Sequence, residues 1–571
     1  MKDIKEFILK HALKNALDFG GKVNSKVILG TVLKEMPELK SDVPAILKAI
    51  EVVSTSIEGK SSSDLREQLL TVAPELLVQK KVESVGPLKA LVGAVKGNFV
   101  VRIAPSPSGP LHIGHAYGTS LNYEYAKMYG GKLILRVEDT NPENIYPSAY
   151  ELIERDARWL TDDGLEPEVV VQSSRLGMYY DYVEKLVVMG RGYICTCDAD
   201  VWRELKNKGR GCPCRELSVA NTKTRWAKMF GEYAEGEAVV RLKTDIADKN
   251  PAMRDFAIMR IVEHVHPKTE KSQRLWPLMI FSVAIDDHEM GVTHVLNGKD
   301  HADNAIKEQM IMGFFGWKAP EYRHWGRINF EGFELSTSKT RIAIEQGVYN
   351  GWEDIRLPFL PALRKRGYQP GAFRRFALEI GLSLSDKTVL ISEFWKNINA
   401  FNKEILDPKS RRAFFVLNPV KVQMGGKVAS MDTHVPVHPS FPERGERVFA
   451  LGSEVYLAAD DVSRLSEGKI HRLIDGYNFT VSKGKFMFHS KSYEEYKNSL
   501  QKGLIIHYLP VEMAGLVNVS VCLIDGSVDN GLGEPALGNL KVGEIVQFER
   551  CYFARLDSRK GDTLTFWYLH E

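Results

Sequence analysis

Apolar and polar positions alternate along this chain with three different rhythms. Up to about residue 95 the repeat is helical: Ile4, Phe7, Ile8, His11 and Ala12 fall on one face. The polar stretch "SIEGKSSSDL" interrupts it, and Ser63 with Glu67 nearby predicts a new helix start. The rhythm then changes. "NFVVRIA" reads as a strand, "LHIGHAYGTSLNYEYAKMY" as a helix stopped by Gly130-Gly131, and "KLILRVED" as the next strand. Strand, helix and strand at this spacing predict a βαβ unit and a parallel sheet. Helices follow at "YELIERDARWL" and "MYYDYVEKLVVMGRG", with a mixed region from about 191 to 295. An apolar run returns at "VTHVLNGKD", followed by helical patterns at "AIKEQMIMGFFGW" and over roughly 350–405. From about 411 onward short alternating strands take over, as in "FTVSKGKFMFH", "VNVSVCLIDGS" and "DTLTFWYLHE". That texture predicts an all-β tail, barrel-like or sandwich-like.

Composition narrows the class. A chain of 571 residues is too long for one core and implies about three to five domains. Hydrophobic residues make up 44% and charged residues 26%, as in ordinary globular proteins. With a net charge of only +3, affinity for a polyanion must come from local patches. No apolar run approaches the ~18 residues of a membrane span, and the charged N-terminal helix does not read as a signal peptide. A cytoplasmic protein without a membrane partner is expected.

Three short stretches carry chemistry. In "RIAPSPSGPLHIGHA" the strand should end at Ala104-Pro105, because proline offers no ladder donor. A helix should begin near Leu111, with Gly109 permitting close backbone approach and His112 and His115 within its first turn. Free N–H groups and the dipole make such a terminus a phosphate site. Taken alone, the pair fits equally well two half-buried structural histidines. "FELSTSKTR" (333–341) reads as a polar loop in which Lys339, among Ser336, Thr337, Ser338 and Thr340, suits a phosphate cover or simply a solvated surface. The third stretch holds Cys195, Cys197, Cys212 and Cys214 in a C-x-C-x14-C-x-C pattern. Two close thiol pairs suit tetrahedral zinc in a structural role; four metal-free thiols are the other reading.

Together "HIGH" (112–115) and "STSKT" (336–340) resemble the two signatures of class I aminoacyl-tRNA synthetases, the second in degenerate form. The longer strings "RVEDTNPE", "VVRLKTDIADKNPAMRD", "IDDHEMGVTHVLNGKDH" and "RLPFLPALRKRG" resemble the archaeal and eukaryotic type of glutamyl-tRNA synthetase, a close relative of glutaminyl-tRNA synthetase. The resemblance covers about 80–571. It implies a multidomain protein: a helical N-terminal appendage (1–95) and a Rossmann-like α/β catalytic core in two halves (96–190 and 296–345). Between the halves lies an inserted acceptor-binding domain with the zinc site (191–295). A helical stem-contact region (346–408) and anticodon-binding β-barrels (409–571) complete the chain.

The resemblance also implies partners and roles. ATP with Mg2+, glutamate and tRNA(Glu) would be the partners of a monomeric enzyme. The α-carboxylate of glutamate would attack the α-phosphorus of ATP, and the terminal adenosine of tRNA would then take the acyl group. His112, Gly114, His115 and Lys339 would bind ATP, with His112, His115 and Lys339 catalytic. Arg102, Ser106 and Glu138 would hold the carboxylate and α-amino groups. Asp303, Arg364, Lys365 and Arg366 would meet tRNA, with Arg374 and Arg375 in the same basic cluster. The sequence departs from the family at two pocket positions. Asn297 stands where glutamyl enzymes usually carry arginine, and Met279 where bacterial relatives have tyrosine. Glutamine charging of tRNA(Gln), glutamate charging of both tRNAs, and a non-catalytic tRNA-binding protein are therefore the rival readings.

Overall fold

A computed structural model describes residues 2–18, 23–36, 42–57, 59–73, 88–332 and 335–571. The chain divides into two compact units, Met1–Pro87 and Leu88–Glu571. The division falls before the expected boundary at 95, because Leu91 already packs in the core of the second unit.

The first unit is helical: α1 (Lys2–Asp18), α2 (Ser25–Glu35), α3 (Val43–Ile57) and α4 (Ser62–Val72). In α3, Ile46, Ile50, Val53 and Ile57 recur every three or four residues and are buried. They meet Ile8, Ala12 and Leu13 of α1 and Leu65 and Leu69 of α4 in one core. The start of α4 is set by a capping box between Ser61 and Asp64, two residues upstream of the expected Ser63.

The second unit opens with β1 (Val100–Ile103), α5 (Ile113–Tyr129), β2 (Lys132–Val137), α6 (Ala149–Leu160), β3 (Glu168–Val171) and α7 (Leu176–Val188). The three strands are parallel, as the βαβ spacing requires. The turn at the end of α5 brings Gly131 so close to Phe99 that a Cβ there would lie 2.1 Å from the Phe99 carbonyl oxygen. An insertion comes next: the antiparallel strands β4 (Gly192–Cys195), β5 (Val239–Leu242), β6 (Ala257–Ile261) and β7 (Leu275–Pro277), with α8 (Ala199–Asn207) and α9 (Val219–Met229) between β4 and β5. Then α10 (Met279–Glu289), β8 (His294–Gly298), α11 (Ala302–Phe314) and β9 (Glu321–Trp325) return to the core. Thr293 lays β8 beside β1: its N–H donates to the Val100 carbonyl at 3.0 Å, and its Oγ1 accepts from the Val100 N–H at 2.9 Å. With β9 parallel to β8, the strand order runs β3-β2-β1-β8-β9. The order reverses between β1 and β8, and ligands of open α/β sheets lie beyond the carboxyl ends at such a point.

After β10 (Ile328–Glu331) come α12 (Thr337–Glu345), α13 (Leu360–Arg366), α14 (Pro370–Ile380), β11 (Lys387–Leu390), parallel to β10, and α15 (Ile391–Leu406). The β tail begins with β12 (Arg411–Ala413) and β13 (Phe415–Leu417), which serve two packing units at once. Successive strand side chains point to opposite faces. Accordingly Ala413 and Phe415 enter the core containing Val519, Phe548 and Phe566, while Phe414 and Val416 enter the core containing Val455, Leu473 and Phe479. Each core is covered by a seven-stranded sheet. The outer strands of one are β12 and β13, a single residue apart; those of the other are Lys502–Ile506 and Leu509–Pro510, also adjacent in the chain. Both sheets therefore curl almost onto themselves, near-barrels rather than flat sandwiches.

Arg366 ties the helices to this tail and so departs from its expected place at a tRNA surface. It is buried; Nε donates to the Tyr568 carbonyl at 3.1 Å and Nη2 to the Leu569 carbonyl at 2.7 Å. Its Nε and one Nη2 hydrogen are committed to the last strand, and its burial keeps it from the exposed basic surface. Replacing Arg366 by methionine should destabilise the second unit by about 2 kcal/mol, because two charge-assisted bonds are lost. Lys365→Ala should cost about 1 kcal/mol or less, its partners Glu353 and Asp557 being 3.8 and 3.7 Å away and the Trp567 ring 4.3 Å away at a half-exposed site. Denaturant midpoints of the two variants check both values.

Candidate functional site

A cavity of about 390 Å3 opens where β1 and β8 end, at the reversal of strand order. Arg102, Ser106, Gly114, His115, Glu138 and Asn297 all line it, as does Met279 from the start of α10. Six residues scattered over 195 positions of sequence are thus brought to one wall-to-wall site by the parallel sheet.

The first signature forms the N-terminus of α5. The helix begins at Ile113, close to the expected start near Leu111, and His112 itself is the cap: its Nδ1 accepts from the Gly114 N–H at 3.1 Å. His115 Nδ1 in turn accepts from the His112 N–H at 3.3 Å, and the two rings stack with centroids 3.7 Å apart. An Nδ1 that accepts cannot carry the proton, so both rings are Nε2–H tautomers and both keep a donor for a ligand. Burial, and then the neighbouring His115, hold the His112 imidazole well below its ordinary range. Crowding by protein takes His115 down to about 4 although it faces the open cleft. Both are neutral donors at pH 7. Positive potential at this end comes from the helix dipole and its free N–H groups.

The second signature is not the expected loop. Phe333 and Glu334 lie outside the described residues. From Ser336 onward the segment is a helix start, with Ser336 capping α12 through the Lys339 N–H at 3.4 Å and Thr340 Oγ1 donating back to the Ser336 carbonyl at 2.9 Å. The Ser336 hydroxyl satisfies one of the unpaired N–H groups of a first turn, which is why a polar run reads as a loop yet folds as a helix. Lys339 sits exposed in that turn. The second signature touches the loop that leads into the first. A Cβ on Gly109 would lie 2.4 Å from Thr337 Cγ2 and 3.3 Å from the Trp352 ring. Gly109 thus permits a close approach to α12.

Beneath the cavity runs a buried ion network that sequence reading missed. Arg102 Nε and Nη2 each lie 3.2 Å from the Asp287 carboxylate, and Arg136 Nη1 is 2.6 Å from the same group. Arg136 Nη2 then reaches Glu138 Oε1 at 3.1 Å. Burial alone would raise the Asp287 carboxyl, but the two guanidinium groups outweigh it and hold it below the usual carboxylate range. Glu138 goes the other way: burial raises it against the pull of Arg136 and Arg102. The signal was present in the chain. "VVRIA" and "LILRVED" place arginine inside apolar strands, and "AIDDHE" places two aspartates inside an apolar helix. Buried charges of opposite sign need one another.

At the far wall His324 Nδ1 donates to Asn297 Oδ1 at 2.6 Å, which leaves the Asn297 amide N–H2 to face a ligand. Burial and the nearby His301 lower the His324 imidazole.

Away from the cavity, the four cysteine sulfurs lie within 4.8 Å of one another, three of the residues buried. Cys195–Cys212 and Cys197–Cys214 are 3.8 and 3.6 Å apart, too long for disulfides. A tetrahedral ion with metal–sulfur bonds of about 2.3 Å has sulfur–sulfur edges of about 3.8 Å, close to these two spacings, so the group could hold such an ion. Arg225 Nη1 donates to Cys214 Sγ at 3.1 Å, supporting a thiolate from outside. Among the expected tRNA contacts, Asp303 is exposed on the first turn of α11, and Arg364 leans on buried Asp156 at 3.5 Å. Arg374 and Arg375 are paired with Asp162 and Glu404. No helix among the described residues is long and apolar enough to cross a membrane.

Comparison with known proteins agrees with this layout. Residues 98–408 match the family model "tRNA synthetases class I (E and Q), catalytic domain", and residues 410–496 match the corresponding "anti-codon binding domain". The chain is 42% identical to the glutamate–tRNA ligase of Methanothermobacter thermautotrophicus and 42% identical to that of Pyrococcus abyssi, in each case over 100% of both chains. Among solved structures, a glutamate tRNA ligase from Elizabethkingia meningosepticum is 20% identical, with a TM-score of 0.39 over 55% of this chain and 70% of that one.

Removing the anion of the network tests its weight. Asp287→Asn takes the paired carboxylate from buried Arg102 and leaves Arg136 with Glu138 and Asp286, and should destabilise the second unit by about 3–5 kcal/mol. Asp303→Asn, at an exposed position, should change stability by less than about 0.5 kcal/mol. Equilibrium denaturation compares the two directly.

Proposed function

The chain belongs to the class I tRNA synthetases for glutamate and glutamine, and from that premise we propose how its residues attach glutamate to tRNA(Glu) at the expense of ATP. The observation that carries the choice of glutamate is identity along the whole length of both chains to glutamate–tRNA ligases, from the helical N-terminus through the β tail. A non-catalytic protein that kept only the fold would have no need of His112, His115 and Lys339, and all three are present.

The cavity lodges the amino acid and the reacting end of ATP. Glu138 and Ser106 receive the α-ammonium group, and Arg102, held in place by Asp287, presents its guanidinium to a carboxylate. Asn297 offers its amide N–H2 toward the side chain. Attack of the α-carboxylate on the α-phosphorus yields glutamyl-adenylate and pyrophosphate, and a hydroxyl of the tRNA terminal adenosine then takes the glutamyl group. Such a reaction needs positioning and charge stabilisation rather than covalent help. The neutral His112 and His115 donate from Nε2 to phosphate oxygens, Gly114 lies against the nucleotide, and the positive charge for the departing pyrophosphate comes from Lys339. Mg2+ accompanies the ATP phosphates. Cys195, Cys197, Cys212 and Cys214 hold a structural zinc ion in the insertion, where it locks the loops between β4 and α9. Asp303 meets the acceptor end, Arg364 and Lys365 the stem, and the near-barrels the anticodon. A cytoplasmic location and a working monomer go with this reading.

A second reading rests on Asn297. A single amide donor suits the oxygen of a carboxylate or of an amide, so glutamine on tRNA(Gln), or glutamate on both tRNAs, is the alternative outcome of the charging test.

Charging of purified tRNA(Glu) and tRNA(Gln), separately, with labelled glutamate and glutamine should give glutamyl-tRNA(Glu); glutaminyl-tRNA(Gln) would overturn the assignment. Lys339→Ala should lower kcat by about a hundredfold to a thousandfold with little change in the KM for glutamate, since it removes charge needed only as pyrophosphate leaves. Elemental analysis should find about one zinc per chain; none in carefully purified protein rules the site out.

A further inference from the structure

One buried carboxyl lines the cavity without a place in the chemistry above. Glu308, on α11, is 5% exposed and borders the same space as Arg102 and Asn297. Tyr322 donates to its Oε2 at 3.1 Å. Two residues further along β9, His324 donates to Asn297. Positions two apart in a strand share a face, so this face of β9 holds Glu308 and Asn297 side by side as one wall of the cavity.

Charge counting says what state that wall adopts. Arg102, Arg136 and Arg175 balance Asp286, Asp287 and Glu138, so the buried network is already neutral. An ionised Glu308 would add an uncompensated anion, facing a substrate that itself brings two carboxylates and one ammonium group. Desolvation makes that combination costly, and a carboxyl so placed takes a proton instead. The groups facing Glu308 are Arg102 from β1, Asp287 from α10, Glu138 after β2 and Tyr322 from β9, with His301 on the same cavity wall. Burial raises its pKa first; Asp287 and Glu138 add to this, and Arg102 opposes it, leaving the group at about 7.

We propose that Glu308 is a specificity-determining residue that binds glutamate in its protonated form, donating its O–H to the side-chain carboxylate beside Asn297. Tyr322 occupies Oε2, so the proton resides on Oε1 and is available to the ligand. Glutamate therefore enters with uptake of one proton, and the wall is a donor pair, amide and carboxylic acid, in place of a fixed cation. This rests on the glutamate reading above.

The test is the KM for glutamate between pH 6.5 and 8.5, in charging of tRNA(Glu), for the wild-type protein and Glu308→Gln. Wild-type KM should rise about tenfold per pH unit above pH 7 with kcat nearly constant. Glu308→Gln, a neutral donor at every pH, should keep a low KM that does not change with pH. A flat wild-type KM, or a variant that follows the wild-type slope, would overturn the proposal while glutamate charging itself continued. Titration calorimetry of glutamate into the wild-type protein with tRNA(Glu), in two buffers of different ionisation enthalpy at pH 7.5, reads the same event without a variant: net proton uptake is expected, and none refutes it. Absence of glutamate charging at every pH would instead remove the functional reading, and this inference with it.

Discussion

Two arginines buried in neighbouring strands must share a counter-charge, and meeting that need organises the catalytic part of the molecule. Arg102 and Arg136 come from β1 and β2, while Asp287 comes from α10, which the chain reaches only after the whole insertion. A charge in low dielectric without a partner costs several kcal/mol, so α10 cannot drift from the sheet. Asp286 reinforces the anchor by accepting from Arg175 at 2.8 Å and Tyr179 at 2.7 Å. The insertion is thereby held at both ends, and the cavity keeps a fixed floor whose charges are already balanced.

On that floor the cavity handles anions by direction rather than by net charge. The histidines at the start of α5 are neutral, each with its Nδ1 committed to a backbone N–H and its Nε2 left over. Lys339 stands in the first turn of α12, and Gly109 lets that turn press against the loop that leads into the first signature. Two helix starts therefore face one region, each with free N–H groups, and only one of them carries a formal cation. Such preorganised donors need no rearrangement as charge develops, which is where their value in phosphoryl transfer lies.

Two features that local sequence could not resolve share a physical reason. "FELSTSKTR" read as a loop because serine and threonine favour turns; the same hydroxyls cap helices, and the choice depends on the residues downstream of them. The run Arg364, Lys365 and Arg366 read as one basic surface, yet the helix turns each residue to a different neighbour. Arg366 is spent on the last strand, Arg364 on Asp156, and Lys365 lies over the Trp567 ring. Local composition cannot tell a solvated charge from one with a partner 200 residues away.

Sequence alone determined what depends on neighbours in the chain. The strand–helix–strand period, the His112 and His115 pair at a helix start, the paired cysteines and the alternation of "RRAFFVL" all come from residues within one or two turns of each other. The tertiary structure decided what depends on distant partners: which anion balances Arg102, that Gly109 accommodates Thr337, that Glu308 and Asn297 form one wall, and that Arg366 is structural. The dividing line is physical. Periodicity, capping and turn chemistry act through the backbone over a few residues, whereas the state of a buried charge is set by whatever the fold packs against it.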